Sequence, residues 1–279
     1  MDLALGDRRY DITTRALVMG ILNCTTDSFY DKGAFFEMDR FLARAEVLVA
    51  EGADILDVGG VKAGPGPDVT EEEELDRVIP AVEALRDRFD VPLSADTWRA
   101  SVAKAAYEAG AVVGNDISGF GDPEYLAVAA QAGATVVATH IRLKPRVRDP
   151  EPVYPGGVVH DVRAFLADRA HQAEAAGIPP ERIVIDAGLD LGKTTPQSVV
   201  LLRESQRLAE LGYPLLLSAS NKTFLGELLG LDIGNRRDAS LSAAALGLIG
   251  GCRILRVHDV AGTCRVRDAL AAVLEADGR

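Results

Sequence analysis

Six times along this chain a glycine stands between a helix-patterned segment and a short apolar run, at Gly52, Gly110, Gly133, Gly177, Gly212 and Gly251. Glycine reaches positive φ without a Cβ penalty, so it ends a helix and lets the chain turn into the next element. The repeated unit is therefore helix, glycine, strand. Eight runs rich in apolar and β-branched residues have the length of strands, over 16–23, 54–60, 92–97, 112–118, 135–140, 183–188, 215–220 and 254–259. Helical periodicity fills segments between them, among them 39–50, 71–89, 99–109, 123–131, 161–176 and 196–211. Thr70 with Glu73 three residues on supplies a capping-box start.

Strict alternation of strand and helix demands a parallel sheet covered on both faces, and a run such as RIVIDAG fits a strand buried on both sides. Eight units favour closure into a (β/α)8 TIM barrel. The competing architecture is an open doubly wound sheet, but no Gly-rich dinucleotide fingerprint follows the first strand. The 279 residues match the size of such a barrel, expected as a single domain over 1–279. Segment 142–160, with four prolines, reads as an extended loop after the fifth strand.

A content of 48% hydrophobic and 26% charged residues is that of a water-soluble globular chain. The net charge of −12 argues against nucleic acid or an anionic membrane as partner, because both need a broad basic face. An anionic substrate must then be caught by a local cluster of cations. Cys24, Cys252 and Cys264 have no CxxC spacing, so they suggest neither a disulfide framework nor a zinc site and read as reduced, buried residues. The opening MDLALGDRRY lacks a basic segment leading into an apolar run, and no stretch has the length to span a bilayer. A cytoplasmic protein is expected.

Loops after the strands build the active site of such a barrel, so polar residues at strand C-termini carry the functional reading. They are Asn23, the pair Gly59 and Gly60, Asp96, Asn115 with Asp116, His140, Asp186, Ser220 with Lys222, and Arg256 with His258. Any one could be a satisfied polar residue at a loop entrance; eight at the same end are a pattern. Asp96, Asn115 and Asp186 offer carboxylates and an amide that read the edge of a flat nitrogen heterocycle. Lys222, Arg256 and His258 bring the cationic donors that a phosphate or pyrophosphate requires. Asn23 suits either an oxyanion or a metal, and Arg256 has the alternative of pairing with a neighbouring carboxylate such as Asp259.

The stretches MGILNCTTDSFYDKG, GADILDVGG, SADT, GNDISG, RIVIDAGLDLGK, SASNKTFLG and RVHDV fall in order at the ends of successive strands. Together they resemble the signatures of the dihydropteroate synthase family over roughly residues 16–275. The resemblance implies a cytoplasmic, homodimeric transferase of folate biosynthesis. It would join 6-hydroxymethyl-7,8-dihydropterin pyrophosphate to p-aminobenzoate and release pyrophosphate. Carried over by position, Asp96, Asn115, Asp186 and Lys222 hold the pterin, while Asn23, Arg256 and His258 bind the pyrophosphate with Mg²⁺, Asn23 as the metal ligand. Lys222, Arg256 and His258 are the catalytic candidates, and Ser220 and Pro65 lie on the aminobenzoate side. The homodimer is expected through the small-residue segment 238–252, which otherwise packs on its own barrel.

Departures from the family pattern concentrate in the loops. The second loop reads Val61, Lys62, Ala63, Gly64, Pro65 and Gly66 where Glu-Ser-Thr-Arg-Pro-Gly is usual, so Ala63 and Gly64 replace a Thr and an Arg. Asn221 replaces an Arg, Thr26 a Pro, and Asp190 with Leu191 a Gly-Phe pair; His140 follows Thr139 in place of a Met-His-Met run. Lys62 either restores the lost charge or is a solvated loop lysine. A paralogue that binds pterin without catalysis, or with another second substrate, is the competing function. A methyltetrahydrofolate-corrinoid methyltransferase barrel is a third, disfavoured by the pyrophosphate cations.

Overall fold

The computed structural model describes residues 1–24, 34–64 and 66–275, with the backbone alone at 34–37. Two short strands come first, β1 (Asp2–Leu5) and β2 (Arg8–Asp11), paired antiparallel across a two-residue loop. Gly6 takes φ 58° in that loop, the positive angle such a hairpin turn demands. The barrel strands are β3 (Leu17–Asn23), β4 (Ile55–Gly59), β5 (Leu93–Asp96), β6 (Val113–Asp116), β7 (Thr135–Thr139), β8 (Ile183–Asp186), β9 (Leu215–Leu217) and β10 (Cys252–Val257). Each pairs parallel with its neighbours, and β10 closes on β3 with Ile254 opposite Leu17. The sheet is a closed (β/α)8 barrel, which excludes the open alternative.

Successive strand residues face opposite sides, so alternate residues enter the barrel. Met19, Ile55, Val113, Val137, Val184, Leu216 and Ile254 form one buried cluster inside it, joined from below by Leu3, Leu5 and Ile12 of the hairpin. The hairpin is a plug under the barrel floor. Thr135 Oγ1 donates to the Ala4 carbonyl and Arg182 Nη2 to that of Gly6 at 2.7 Å, which ties the plug to the barrel. The outward rows, such as Leu56, Val58, Ala95 and Leu255, pack beneath the helices. Two residues on from the floor, the inward rows of β4, β6, β8 and β10 carry Asp57, Asn115, Asp186 and Arg256. The barrel is apolar at its floor and polar at its mouth.

The covering helices are α1 (Ala34–Ala50), α2 (Glu71–Arg88), α3 (Ala100–Ala109), α4 (Tyr125–Ala132), α5 (Val158–Ala175), α6 (Thr195–Arg203), α7 (Ser205–Ala209), α8 (Thr223–Leu229), α9 (Arg237–Ile249) and α10 (Val260–Glu275). All six glycines expected to end helices have positive φ, from 62° at Gly133 to 123° at Gly110. The capping box of α2 forms: Thr70 Oγ1 accepts from Glu73 N at 3.1 Å and Glu73 Oε2 from Thr70 N at 2.8 Å. One expectation is corrected, since 196–211 is two helices, not one. The break falls at Glu204, beside Ser205, whose hydroxyl donates back to the Leu202 carbonyl at 2.7 Å in the manner that bends helices.

Candidate active site at the barrel mouth

Arg256 stands at the centre of the mouth. Its Nε donates to Asp57 Oδ2 at 2.6 Å and its Nη2 to Asp96 Oδ2 at 2.7 Å, so one guanidinium joins β10, β4 and β5. Asp57 is wholly buried and also accepts from the Ser94 hydroxyl at 2.6 Å and from Asn115 Nδ2 at 3.3 Å. An ionised carboxylate at that depth requires such a set of donors. Arg256 therefore does not pair with Asp259, whose partner is Arg237 at 2.7 Å. Asn115 spends its amide N–H on Asp57, which leaves its carbonyl oxygen for a ligand.

Across the mouth, Asp186 is buried at the end of β8 and accepts from Gly188 N at 2.8 Å. Lys222 Nζ donates to the Leu189 carbonyl at 3.0 Å. That position is set by the neighbouring residue, Asp190, whose carboxylate accepts from Thr223 N at 2.6 Å and Phe224 N at 3.2 Å and so caps α8 from another loop. Asp190 has φ 65° and Asn221 φ 57°, a left-handed conformation that Asp and Asn tolerate better than other side chains. Both departures from the family pattern thus occupy backbone positions that suit them. Lys193 is buried beneath this loop, with Nζ 2.9 Å from His140 Nδ1 and donating to the carbonyls of Gly188 at 2.8 Å and Leu191 at 3.0 Å.

Burial raises the Asp96 carboxyl to about 7, with Arg256 pulling it down and Asp57, Glu74 and Asp116 pushing it up. Burial also raises Asp186, opposed by the Gly188 N–H and by Lys222, Lys193 and Arg256. Lys222 is lowered by burial, with Asp190 and Asp186 acting the other way. For Arg256 burial works against the charge, but Asp57 and Asp96 outweigh it and hold the guanidinium cationic. Lys193 is lowered to about 7 and His140 to about 3, both chiefly by burial. A neutral His140 is what its contact with the Lys193 amine requires.

On the third side of the mouth, Ser220 Oγ lies 2.9 Å from His258 Nδ1 and accepts from His258 N at 3.2 Å. Arg44 Nη2 donates to the His258 carbonyl at 2.9 Å. Desolvation and then the cations Arg256, Arg44 and Lys222 lower the imidazole's pKa. Ser220 and His258 line a cavity of about 260 Å³ that reaches Arg237 and Ser240. Asn23 ends β3 with its side chain exposed at the rim. Among the described residues no group of three or more His, Cys, Asp or Glu side chains could hold a metal. One hard amide oxygen from Asn23 nevertheless suits a Mg²⁺ that keeps waters and takes its remaining ligands from substrate phosphates.

Asp96, Asn115, Asp186, Lys222 and Arg256 are thus brought to one mouth, with Ser220 and His258 beside them. Pro65 and Thr26 lie outside the described residues, and Lys62 is an exposed residue of the second loop. Two strand-end residues have structural surroundings instead. Asp116 follows the inward Asn115, so it faces outward, where its carboxylate accepts from Ser118 N at 2.6 Å and Phe120 N at 2.8 Å. His140 is locked against Lys193 and packs edge-on to Phe165. Sequence reasoning missed Asp57 and Lys193. The available signals were a lone carboxylate two residues after Ile55 in an apolar strand, and a lysine closing GLDLGK.

Carboxylates and an amide around a cationic centre mark the C-terminal mouth of the eight-stranded barrel as the candidate binding site. Residues 19–258 match the family of pterin binding enzymes, and the chain belongs to that family. It is 43% identical to the inactive dihydropteroate synthase 2 of Mycobacterium leprae, over 93% of this chain and 91% of that protein. Identity to the dihydropteroate synthase of Synechocystis is 41%, over 96% and 94%. The fold superposes on the Xanthomonas albilineans dihydropteroate synthase solved with 4-aminobenzoic acid at a TM-score of 0.90, with 38% identity and 99% of both chains covered.

The raised Asp96 carboxyl makes stability depend on pH. Between the ordinary value of 3.8 and about 7 the folded chain keeps a proton that the unfolded chain has lost. This contribution is complete below the ordinary value and is lost as pH rises through about 7. Urea unfolding of the wild type and D96N at pH 5 and pH 8 reads it: the wild type should lose stability relative to D96N at the higher pH. An unchanged difference would mean that Asp96 is ionised throughout.

Proposed function

We propose that the barrel acts as a dihydropteroate synthase-type transferase whose pterin half is retained and whose aminobenzoate half is altered. The observation that carries this reading is the convergence of Asp96, Asn115, Asp186 and Lys222 around Arg256. In this reading the carboxylates of Asp96 and Asp186 accept from the donor edge of the pterin. The free carbonyl of Asn115 takes another pterin N–H, and Lys222 donates to a ring acceptor. Arg256 and His258 face the pyrophosphate, where Arg256 is held cationic and His258 offers a neutral imidazole. The carbon–oxygen bond to the leaving group breaks with its electron pair going to pyrophosphate, and the amine nitrogen then attacks the pterin methylene carbon and loses a proton. Positive charge at the leaving oxygen lowers the barrier to that departure. A Mg²⁺ held by Asn23 and the pyrophosphate would supply further charge neutralisation.

Catalytic weakness is the second reading, and a specific observation favours it: residues 61–66 contain neither Thr nor Arg. The Mycobacterium leprae relative, itself described as inactive, is among the most similar. A charge-assisted hydrogen bond contributes about 1.5 to 3 kcal/mol, so losing two costs about 3 to 6 kcal/mol, on the order of 10² to 10⁴ in rate.

A homodimer is supported by the exposed apolar residues Leu228, Leu229, Ile233, Leu246 and Ile249 on α8, α9 and the turn between them. A monomer mass in light scattering at micromolar concentration would refute it. The three cysteines are unpaired and buried, which suits a cytoplasmic location. Among the described residues no helix is long and apolar enough to cross a membrane.

Calorimetric titration with the pterin pyrophosphate, then p-aminobenzoate, followed by a pyrophosphate-release assay with Mg²⁺, tests the function. The pterin should bind, and turnover should be slow but above background. Absence of pterin binding removes the transferase reading; pterin binding without any turnover replaces it with the non-catalytic one.

A further inference from the structure

The second loop carries no guanidinium between Gly60 and Pro67, and its small residues leave space. A Cβ at Gly64 would meet nothing within 4 Å. The space is a cleft of about 170 Å³ between the second loop, the loop after β7 and the loop after β8, walled by Ile141, Val147 and Leu191 and edged by Arg146 and Arg148. The anions of this cleft are already satisfied. Asp149 accepts two bonds from Arg142, and Asp190 caps α8. Its arginines are not. Arg146 Nη2 donates to the Pro67 carbonyl and has no carboxylate partner among the described residues, and Arg148 makes no hydrogen bond or ion pair with them.

Arg146 also sits at φ 65°, a left-handed conformation without a glycine's or asparagine's excuse. That strained residue spans from the fifth loop to the second. Two guanidiniums without anionic partners among the described residues, at the edge of an apolar-walled cleft, suit a carboxylate carried on an apolar body. The cleft opens beside Leu191 and Lys193, next to the loop whose Leu189 carbonyl holds Lys222. Around the ring β7 is four places from β3, which puts this seat across the mouth from Asn23.

We infer that Arg146 and Arg148 bind the carboxylate of the amine substrate, so that the fifth loop supplies the positive charge the second loop lacks. The inference rests on the transferase reading and names how its second substrate is held. An aromatic amino acid such as 4-aminobenzoate is the ligand class, and the bond-making amine end points toward the pterin.

The test is calorimetric titration of the full-length protein with 4-aminobenzoate, 4-aminobenzamide and inorganic pyrophosphate, each with and without the pterin pyrophosphate. Wild type, R146K, R146Q and R148Q are compared. Because Arg148 makes no hydrogen bond or ion pair among the described residues, R148Q separates loss of charge from loss of loop order. The acid should bind R146Q and R148Q about tenfold or more weakly than wild type, with R146K between. The amide should bind all four alike, and pterin affinity should not change. Equal affinity of wild type and R148Q for the acid overturns the inference, as does an amide that binds wild type as tightly as the acid. If pyrophosphate displaces the acid and itself loses affinity in R148Q, the seat is a phosphate site and the carboxylate assignment falls. A wild type that fails to bind the pterin defeats the transferase reading separately, and the titrations without pterin still decide the role of the arginines.

Discussion

The guanidinium of Arg256, held between Asp57 and Asp96, is the constraint on which the rest of the mouth depends. Asp57 is wholly buried above an apolar floor, where an isolated carboxylate would be several kcal/mol out of balance. Arg256, Ser94 and Asn115 offset that cost together, and in doing so each is fixed in direction. Asn115 commits its amide N–H to Asp57, which leaves its carbonyl oxygen free, and Asp96 is drawn to the remaining arm of the guanidinium. The candidate binding surface is therefore the upper side of a charge-balancing network. With an overall charge of −12, general attraction would not bring an anionic ligand to the protein, so in the proposed reading the local cations must do so.

A second scaffold holds the opposite wall. Lys193 gathers the carbonyls of Gly188 and Leu191 from below, and Asp190 reaches over to the amides that begin α8. Between these ties lie Leu189 and Lys222, so the loops after β8 and β9 are positioned as one unit. The residues by which this chain departs from its family are part of that unit, not random losses. Asp190 and Asn221 accept left-handed backbone, and Asp190 adds a helix cap that a glycine in its place would lack. The second loop is different. Its ends are anchored, with Arg77 donating to the Gly60 carbonyl at 3.1 Å and Arg99 to that of Val69 at 2.7 Å, yet Ala63 and Gly64 between them have no polar side chain to offer a ligand.

What could be read in advance followed from local rules. The six helix-ending glycines, the capping box at Thr70 and the eight strands each depend on residues close in sequence, and all formed. Strand-end polarity located the mouth, but it did not distinguish inward from outward neighbours. Counting by twos from Val113 would have put Asn115 inside and Asp116 outside. The same count from Ile55 would have found Asp57, which passed as one polar residue in an apolar strand. The plug formed by β1 and β2 was hidden because four-residue strands give too little periodicity, and only Leu3, Leu5 and the Gly6 turn mark it. Lys193 and Asp190 were unreadable for another reason: their partners are carbonyls and amides of distant loops, which the fold alone brings near.

The most direct test of the Arg256 network is a double-mutant cycle on pterin affinity, using D57N, R256Q and the double variant in calorimetric titrations. Asp57 holds Arg256 and, with Ser94 beside it, Asn115, so D57N should weaken pterin binding more in the wild-type background than once R256Q is present. A coupling on the order of 1 kcal/mol or more is the expected result for residues in one hydrogen-bonded network. Additive losses, or a D57N variant that binds the pterin as the wild type does, would contradict it.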